Sequence, residues 1–157
     1  MMLLTGIVVV RNEAERIEGC IESIIGADSP ENSEMEIIIV DGQSTDLTRQ
    51  KIIKWCERDS RVRLLDNSQK ITPCAVNIGV QAAKGEYLAL LSGHAIYPND
   101  YFVRCLDTAL RTKADNVGGL VVPQNPSALF SARIIQALTT HTFGVGNSGF
   151  RTGMREG

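Results

Sequence analysis

What this sequence lacks narrows its chemistry first. No stretch approaches the roughly 20 apolar residues that a spanning helix needs. The opening "MMLLTGIVVVRNEAE" is too short and too soon acidic for a signal peptide. There is no basic excess, with Lys+Arg 16 against Asp+Glu 18 and a formal net charge of -2, which argues against a general nucleic-acid binder. The four cysteines, Cys20, Cys56, Cys74 and Cys105, contain no C-x-x-C pair that would suggest zinc or a dithiol site. Cys20, Cys56 and Cys105 fall at apolar positions of expected helices, so they read as reduced core thiols of a cytosolic protein. No G-x-G-x-x-G follows the first strand and no G-x-x-x-x-G-K-[ST] loop exists, which excludes the usual dinucleotide and P-loop arrangements. "GVGNSG" (144–149) has glycines at a suitable spacing but lies after an expected helix, and reads as a mobile loop.

What is present is ordinary for a globular chain: 157 residues, 43% hydrophobic and 22% charged, enough for one domain with its own core. Strand and helix patterns alternate along it. "GIVVV" (6–10) is a β-branched run, followed by Ile17, Cys20, Ile21, Ile24 and Ile25 at helical spacing. "MEIIIVD" (35–41) is a second strand, and a helix is expected from about Asp46 to Arg58. "VRLLD" (62–66) is a third strand. Thr72 and Pro73 then open a helix, threonine as N-cap and proline at its first position. "YLALL" (87–91) reads as a fourth buried strand, and Phe102, Cys105, Leu106, Ala109 and Leu110 mark the next helix. A fifth strand is expected over "NVGGLVV" (116–122) and a last helix around Phe130, Ile134, Ala137 and Leu138. Continuously apolar strands alternating with helices predict an α/β fold, a three-layer sandwich around a mainly parallel sheet.

Ligands of such sheets bind beyond the carboxyl ends of the strands, so the residues just after each strand carry the functional question. After the first stand Asn12 and Glu13, an amide and a carboxylate that suit a base or ribose better than a phosphate; Glu13 also fits as a helix-start acid. Asp41 closes the second strand. Its carboxylate can accept the N3–H of a uracil ring, or anchor an Asx-type turn before Gly42. Ser44, Thr45 and Asp46 read as caps of the next helix. Lys70 stands before the third helix, either reaching a diphosphate or solvated in a loop. Gly79 is expected to permit close helix packing and Gly85 to supply a positive φ at a helix C-cap. The fourth strand ends in Ser92-Gly93-His94.

"VVVRNEAERIEGCIESI", "IIIVDGQSTDLT", "PCAVNIGVQAAKGEYLALL" and "GHAIYPNDY", in this order and spacing, resemble the family 2 inverting glycosyltransferases of the GT-A fold, in the branch of succinoglycan-type polysaccharide enzymes. The resemblance runs through nearly the whole chain. It implies that residues around Val10 to Glu13, with Asp41, hold the base and ribose of a nucleotide-diphosphate sugar, most often UDP-linked. It also implies that the fourth strand ends in a D-x-D type motif holding a divalent cation, Mn²⁺ or Mg²⁺, against the diphosphate. Here Ser92 stands in place of a carboxylate, while His94 matches the related branch.

Three readings of His94 stand open: a ligand to Mn²⁺ with diphosphate and water completing the shell, a direct phosphate contact, or a loop histidine bonded to backbone. The expected site is therefore Val10, Asn12, Glu13, Asp41, Ser92, Gly93 and His94, with Asp41 and His94 facing a common cleft. No residue is assigned as the general base that inverting transfer needs, because the family's acidic base motif lies further downstream than these residues reach. The chain thus reads as a single truncated donor-binding domain over 1–157, its acceptor part absent. It is expected to bind nucleotide but to transfer sugar poorly to a polysaccharide or lipid-linked acceptor. A cytoplasmic location is expected, with a full-length parent at the inner membrane. An uncovered sheet edge predicts a homo-oligomer. Ser92 and the missing base also leave room for a non-catalytic nucleotide-sugar-binding or interaction module, whereas "RNEAERIEG" lacks the Gly-rich basic loop of a nucleotidyltransferase.

Overall fold

The computed structural model describes residues 2–31, 33–119 and 122. The alternation read from the sequence is realised as β1 (Met2–Val10), α1 (Ile17–Ile25), β2 (Ser33–Asp41), α2 (Thr48–Arg58), β3 (Val62–Asp66), α3 (Thr72–Ala82), β4 (Tyr87–Ser92) and α4 (Tyr101–Thr112). The strands form one parallel sheet in the order β3-β2-β1-β4. The chain divides into two compact units, residues 1–104 and 105–157. In the second, Thr112 closes the end of α4 on the Thr108 carbonyl at 2.7 Å, and the left-handed Lys113 (φ 56) follows.

Handedness explains why the helices lie in two layers. Parallel crossovers are almost always right-handed. The steps from β1 to β2 to β3 run one way across the sheet, so α1 and α2 share one face. The step from β3 to β4 runs back past β1, so α3 must lie on the other. The core is split accordingly. Leu4, Val8, Val10, Ile37 and Ile39 pack with Ile17, Cys20, Ile21, Ile24 and Ile52 on the first face, and Ile7, Ile38 and Val40 pack with Ala75 on the second. Gly79 lets α3 approach β1 closely, since a Cβ there would collide with Ile7 Cγ2.

Several local expectations are corrected. β1 and β2 start earlier than their apolar runs, pairing from Met2↔Ser33 onward. Thr72 is the first residue of α3 rather than its cap; Ile71 occupies the N-cap and no side chain closes it. Gly85 is not left-handed and lies beyond the C-cap Ala83. It is required for space, because a Cβ would meet Thr5 Oγ1 at 2.6 Å and the Leu3 carbonyl at 2.7 Å. Of the cysteines, Cys20 is buried and the others are half-buried. β4 is buried only in part, with Leu88 42% and Leu90 61% exposed. Leu90 pairs with Ile7 and so points to the α3 face, while α3 itself packs over β1 and β2. In the fifth-strand region, residues 116–119 carry no regular structure. The remainder of 120–121, the expected helix around 130–138 and the 144–149 loop lie outside the described residues.

Candidate functional site

The order β3-β2-β1-β4 places the topological switch between β1 and β4, the point at which open α/β sheets take their ligands. A cleft of about 440 Å³ opens there at the carboxyl edge, lined by Val10, Arg11, Glu13, Gly42, Asn67, Lys70, Ser92 and His94 over a floor of Ile7, Val9, Val76 and Leu90. Alternation along β1 puts Val9 and Arg11 on the α3 face, and the pairing Val9↔Ser92 puts Ser92 there too.

The loops that frame this cleft are bonded to each other over long sequence separations. The Asn12 backbone N–H donates to Ser44 Oγ at 2.9 Å, and the Asn12 side-chain Oδ1 accepts from the Thr45 N–H at 2.8 Å. The Glu13 N–H donates to Thr48 Oγ1 at 2.8 Å, and the Ala14 N–H to Asp46 Oδ2 at 3.1 Å. Lys51 reaches back to the Ala14 carbonyl at 2.8 Å. Ser44 and Thr45 therefore lock the first turn to the second instead of capping α2. Asp46 is not the cap either, since Leu47 occupies the N-cap of α2 with no side-chain cap bond. Its carboxylate accepts from the Thr48 N–H at 3.0 Å in an Asx-type turn just before the helix, and its bonds to Thr48 hold its carboxyl below the usual range. Asn12, Gln43 and Lys70 all have φ between 55 and 62°. Each lies in a turn after one of the strands β1, β2 and β3, and such left-handed non-glycine residues concentrate at functional sites.

Each expected site residue has a definite place. Val10 is buried and lines the cleft with its end of β1. Asn12 is exposed, with its amide oxygen engaged by Thr45. Glu13 lines the cleft and pairs with Arg16 at 3.6 Å. Asp41 does not line it: its side chain has no exposed surface. Both its oxygens accept from the Ser44 N–H at 3.2 Å, Ser44 Oγ donates to it at 2.5 Å, and Arg49 lies 3.4 Å away. The pairing Val10↔Asp41 sets that carboxylate on the α1/α2 face, so only its neighbour Gly42 shares the cleft with His94. Arg49 continues to Asp66 at the end of β3, and this bond keeps the guanidinium charged beyond its ordinary range.

The turn after β4 is closed by the Ala95 N–H donating to the Ser92 carbonyl at 3.2 Å. Gly93 sits against β1 so closely that a Cβ would collide with Val10 Cγ1. His94 is exposed at the cleft. Sequence reasoning missed Arg11 as a site residue and left Lys70 open between a diphosphate contact and a solvated loop; both line the cleft. Arg11 was legible in principle, as the next α3-face position after Ile7 and Val9. Lys70 is presented by buried Asn67, whose Nδ2 donates to the Ile71 carbonyl at 2.9 Å and whose backbone carbonyl accepts from the Lys70 N–H at 3.2 Å. Among the described residues, Arg11, Lys70 and His94 take part in no ion pair.

The donor set also bears on a metal. Among the described residues no three His, Cys, Asp or Glu side chains converge on one point, so the chain builds no free-standing metal centre there. His94 beside the Ser92 hydroxyl fits a cation that shares its shell with phosphate oxygens and water.

Comparison with known proteins agrees with this architecture. The family model of Glycosyl transferase family 2 matches residues 5–154. The chain belongs to that family. It is 40% identical over 108 residues to the succinoglycan biosynthesis protein ExoA of Rhizobium meliloti, covering 68% of this chain and 32% of that protein. It is 30% identical over 116 residues to the glycosyltransferase AglE of Haloferax volcanii, covering 73% and 38%. The chain thus spans about a third of the length of these curated relatives. Among solved structures, Staphylococcus aureus TarS in complex with UDP superposes with a TM-score of 0.62 at 18% identity over 82% of this chain and 39% of that one. The mannosyltransferase PcManGT of Pyrobaculum calidifontis, in complex with GDP-Man and Mn²⁺, superposes with 0.60 at 27% identity over 82% and 37%. The fold is GT-A. No helix among the described residues is long and apolar enough to cross a membrane.

Proposed function

We propose that this chain is the donor-binding part of an inverting glycosyltransferase, holding a nucleotide-diphosphate sugar, UDP-linked, for transfer to a polysaccharide or lipid-linked acceptor. The observation that carries this reading is the cleft at the β1/β4 switch, which gathers Arg11, Lys70 and His94, none of them in an ion pair among the described residues. Transfer leaves a nucleoside diphosphate whose phosphate oxygens gain charge as the bond to the sugar breaks, and the preorganised Arg11 and Lys70 cations stabilise that charge. Val10, Asn12, Glu13 and the Gly42 turn form the wall for base and ribose, with Asp41 acting through the turn it pins. Ser92, Gly93 and His94 meet the diphosphate. A divalent cation, Mn²⁺ or Mg²⁺, arriving with the diphosphate would take His94 as its protein donor and supply further charge neutralisation.

The general base is assigned to no residue of this chain and belongs to an acceptor part. The whole assembly works on the cytoplasmic side, its parent at the inner membrane. Exposed Leu88 and Leu90 support a surface covered by that acceptor part or by a second copy. A second reading, a non-catalytic nucleotide-sugar module, is favoured by Ser92 in the D-x-D position.

Calorimetric titration of UDP with Mn²⁺ or with chelator tests the reading. The expected result is saturable binding, weakened about tenfold or more in His94→Ala by loss of a charge-assisted contact. Absence of UDP and GDP binding at millimolar concentration would refute it. Sugar transfer by the chain alone would contradict the assignment of the base elsewhere.

A further inference from the structure

The turn that carries His94 is held from beneath by groups that do not line the cleft. The Ser92 N–H donates to the Tyr97 hydroxyl at 2.8 Å, and that hydroxyl lies 3.4 Å from the Ser92 carbonyl, to which it can donate in return. The same carbonyl accepts from the Cys20 thiol of α1 at 3.3 Å. Tyr97 is itself tied to α1, its backbone N–H donating to Ser23 Oγ at 3.1 Å while Ser23 donates to the Cys20 carbonyl at 2.8 Å. Its ring is fixed by Tyr101 at 5.2 Å and Phe102 at 6.1 Å between centroids. Both ends of the turn are thus anchored on one helix, and the peptide at the last residue of β4 has its donor and its acceptor engaged.

We propose that Tyr97 is a positioning residue for the donor diphosphate: its hydroxyl, together with the Cys20 thiol, fixes the Ser92 peptide so that the Ser92 hydroxyl and the His94 imidazole are presented to the cleft in one orientation. This rests on the donor-site reading above. A turn held in one geometry before the ligand arrives loses less conformational freedom on binding, and that gain falls on the group the turn contacts. Here that group is the diphosphate, since base and ribose lie on the other wall. Neutrality of both clamping groups suits the role. Burial pushes the Tyr97 hydroxyl and the Cys20 thiol each up to about 12, so neither adds a charge beside the phosphates at physiological pH.

Tyr97→Phe keeps the ring contacts and removes only the hydroxyl. The decisive readout is the ratio of UDP to uridine affinity, because uridine lacks the groups that the turn addresses. The expected result is that UDP affinity falls about tenfold, the worth of one to two hydrogen bonds, while uridine affinity and the melting temperature change little. An unchanged ratio would overturn the proposal, and so would a parallel loss for UDP and uridine, which is the mark of a merely structural role. If Tyr97→Phe does not fold, Cys20→Ser and Cys20→Ala decide the question. Serine keeps a donor to the Ser92 carbonyl and is expected to keep the ratio, alanine to lower it; equal ratios in the two would overturn the proposal. Failure of the unsubstituted chain to bind UDP would instead refute the donor-site reading, and the positioning role with it.

Discussion

On one side of β1, toward β2, every side chain from Ile37 to Val40 is fully buried, and the following loops are cross-bonded from Asn12 to Thr48. On the other side, β4 is built from similar apolar residues yet leaves Leu88 and Leu90 exposed. Its turn is closed by the Ala95 N–H on the Ser92 carbonyl and pinned from beneath by Tyr97 and Cys20. A strand flanked by neighbours and covered by helices on both faces becomes frame. β4, which among the described residues is paired on one edge and leaves one face open, becomes the wall of a site. The same residue chemistry serves stability in the first place and ligand access in the second.

Substitutions at matched positions sharpen this contrast most. Ile38→Ala removes a fully buried side chain between the sheet and α3 and is expected to cost about 2–5 kcal/mol in denaturant unfolding. Leu90→Ala, on the same face but exposed, is expected to cost about 0.5 kcal/mol or less. Equal losses would break the comparison, since Leu90 would then be covered in solution. Lys70→Gly probes the boundary between the regions. It relieves a left-handed side-chain residue, so stability is expected to stay level or rise by up to about 1 kcal/mol. UDP affinity is expected to fall about tenfold through loss of a charged contact. A fall in both would show Lys70 to be part of the frame.

A smaller effect concerns pH and the β4 turn. Tyr97 and Cys20 have raised values, so their contribution is intact below their ordinary values of 10.0 and 9.0 and is lost as pH rises toward about 12. Alkaline unfolding should therefore become shallower in Tyr97→Phe. Smallest is the acid limb. The carboxyls of Asp46 and Glu18 are lowered, by bonding to Thr48 and to Lys51. Their contribution is present above the ordinary carboxylate range and disappears as pH falls through their lowered values. Asp46→Asn is expected to flatten that limb slightly, as followed by melting temperature against pH.

The sheet and its helices were legible because "GIVVV" and "MEIIIVD" are continuous β-branched runs and Ile17 to Ile25 keep helical spacing. The exposure of Leu88 and Leu90 was not, because apolar content alone does not say whether a strand is central or at an edge. At the site, sequence pointed to the turns that frame the cleft but not to the partners within them. Asn12 carries donor and acceptor groups suited to a base, yet Ser44 and Thr45 claim them across 32 and 33 residues, which leaves no local signal. The Asp41 carboxylate is claimed by Ser44 only three residues on, the Asx-type turn that was one of its two sequence readings. Gly85 illustrates the same limit: the glycine was singled out for a turn conformation, whereas it is the approach of Thr5 from β1 that demands it.

The most direct test of the account is an amide chemical-shift map of the chain titrated with UDP. The account predicts perturbations concentrated at Arg11, Gly42, Lys70 and Ser92 to His94, around the β1/β4 cleft. Shifts confined instead to Glu15, Arg16, Leu47 and Gln50, in the adjoining groove that shares Glu13 with the cleft, would contradict it.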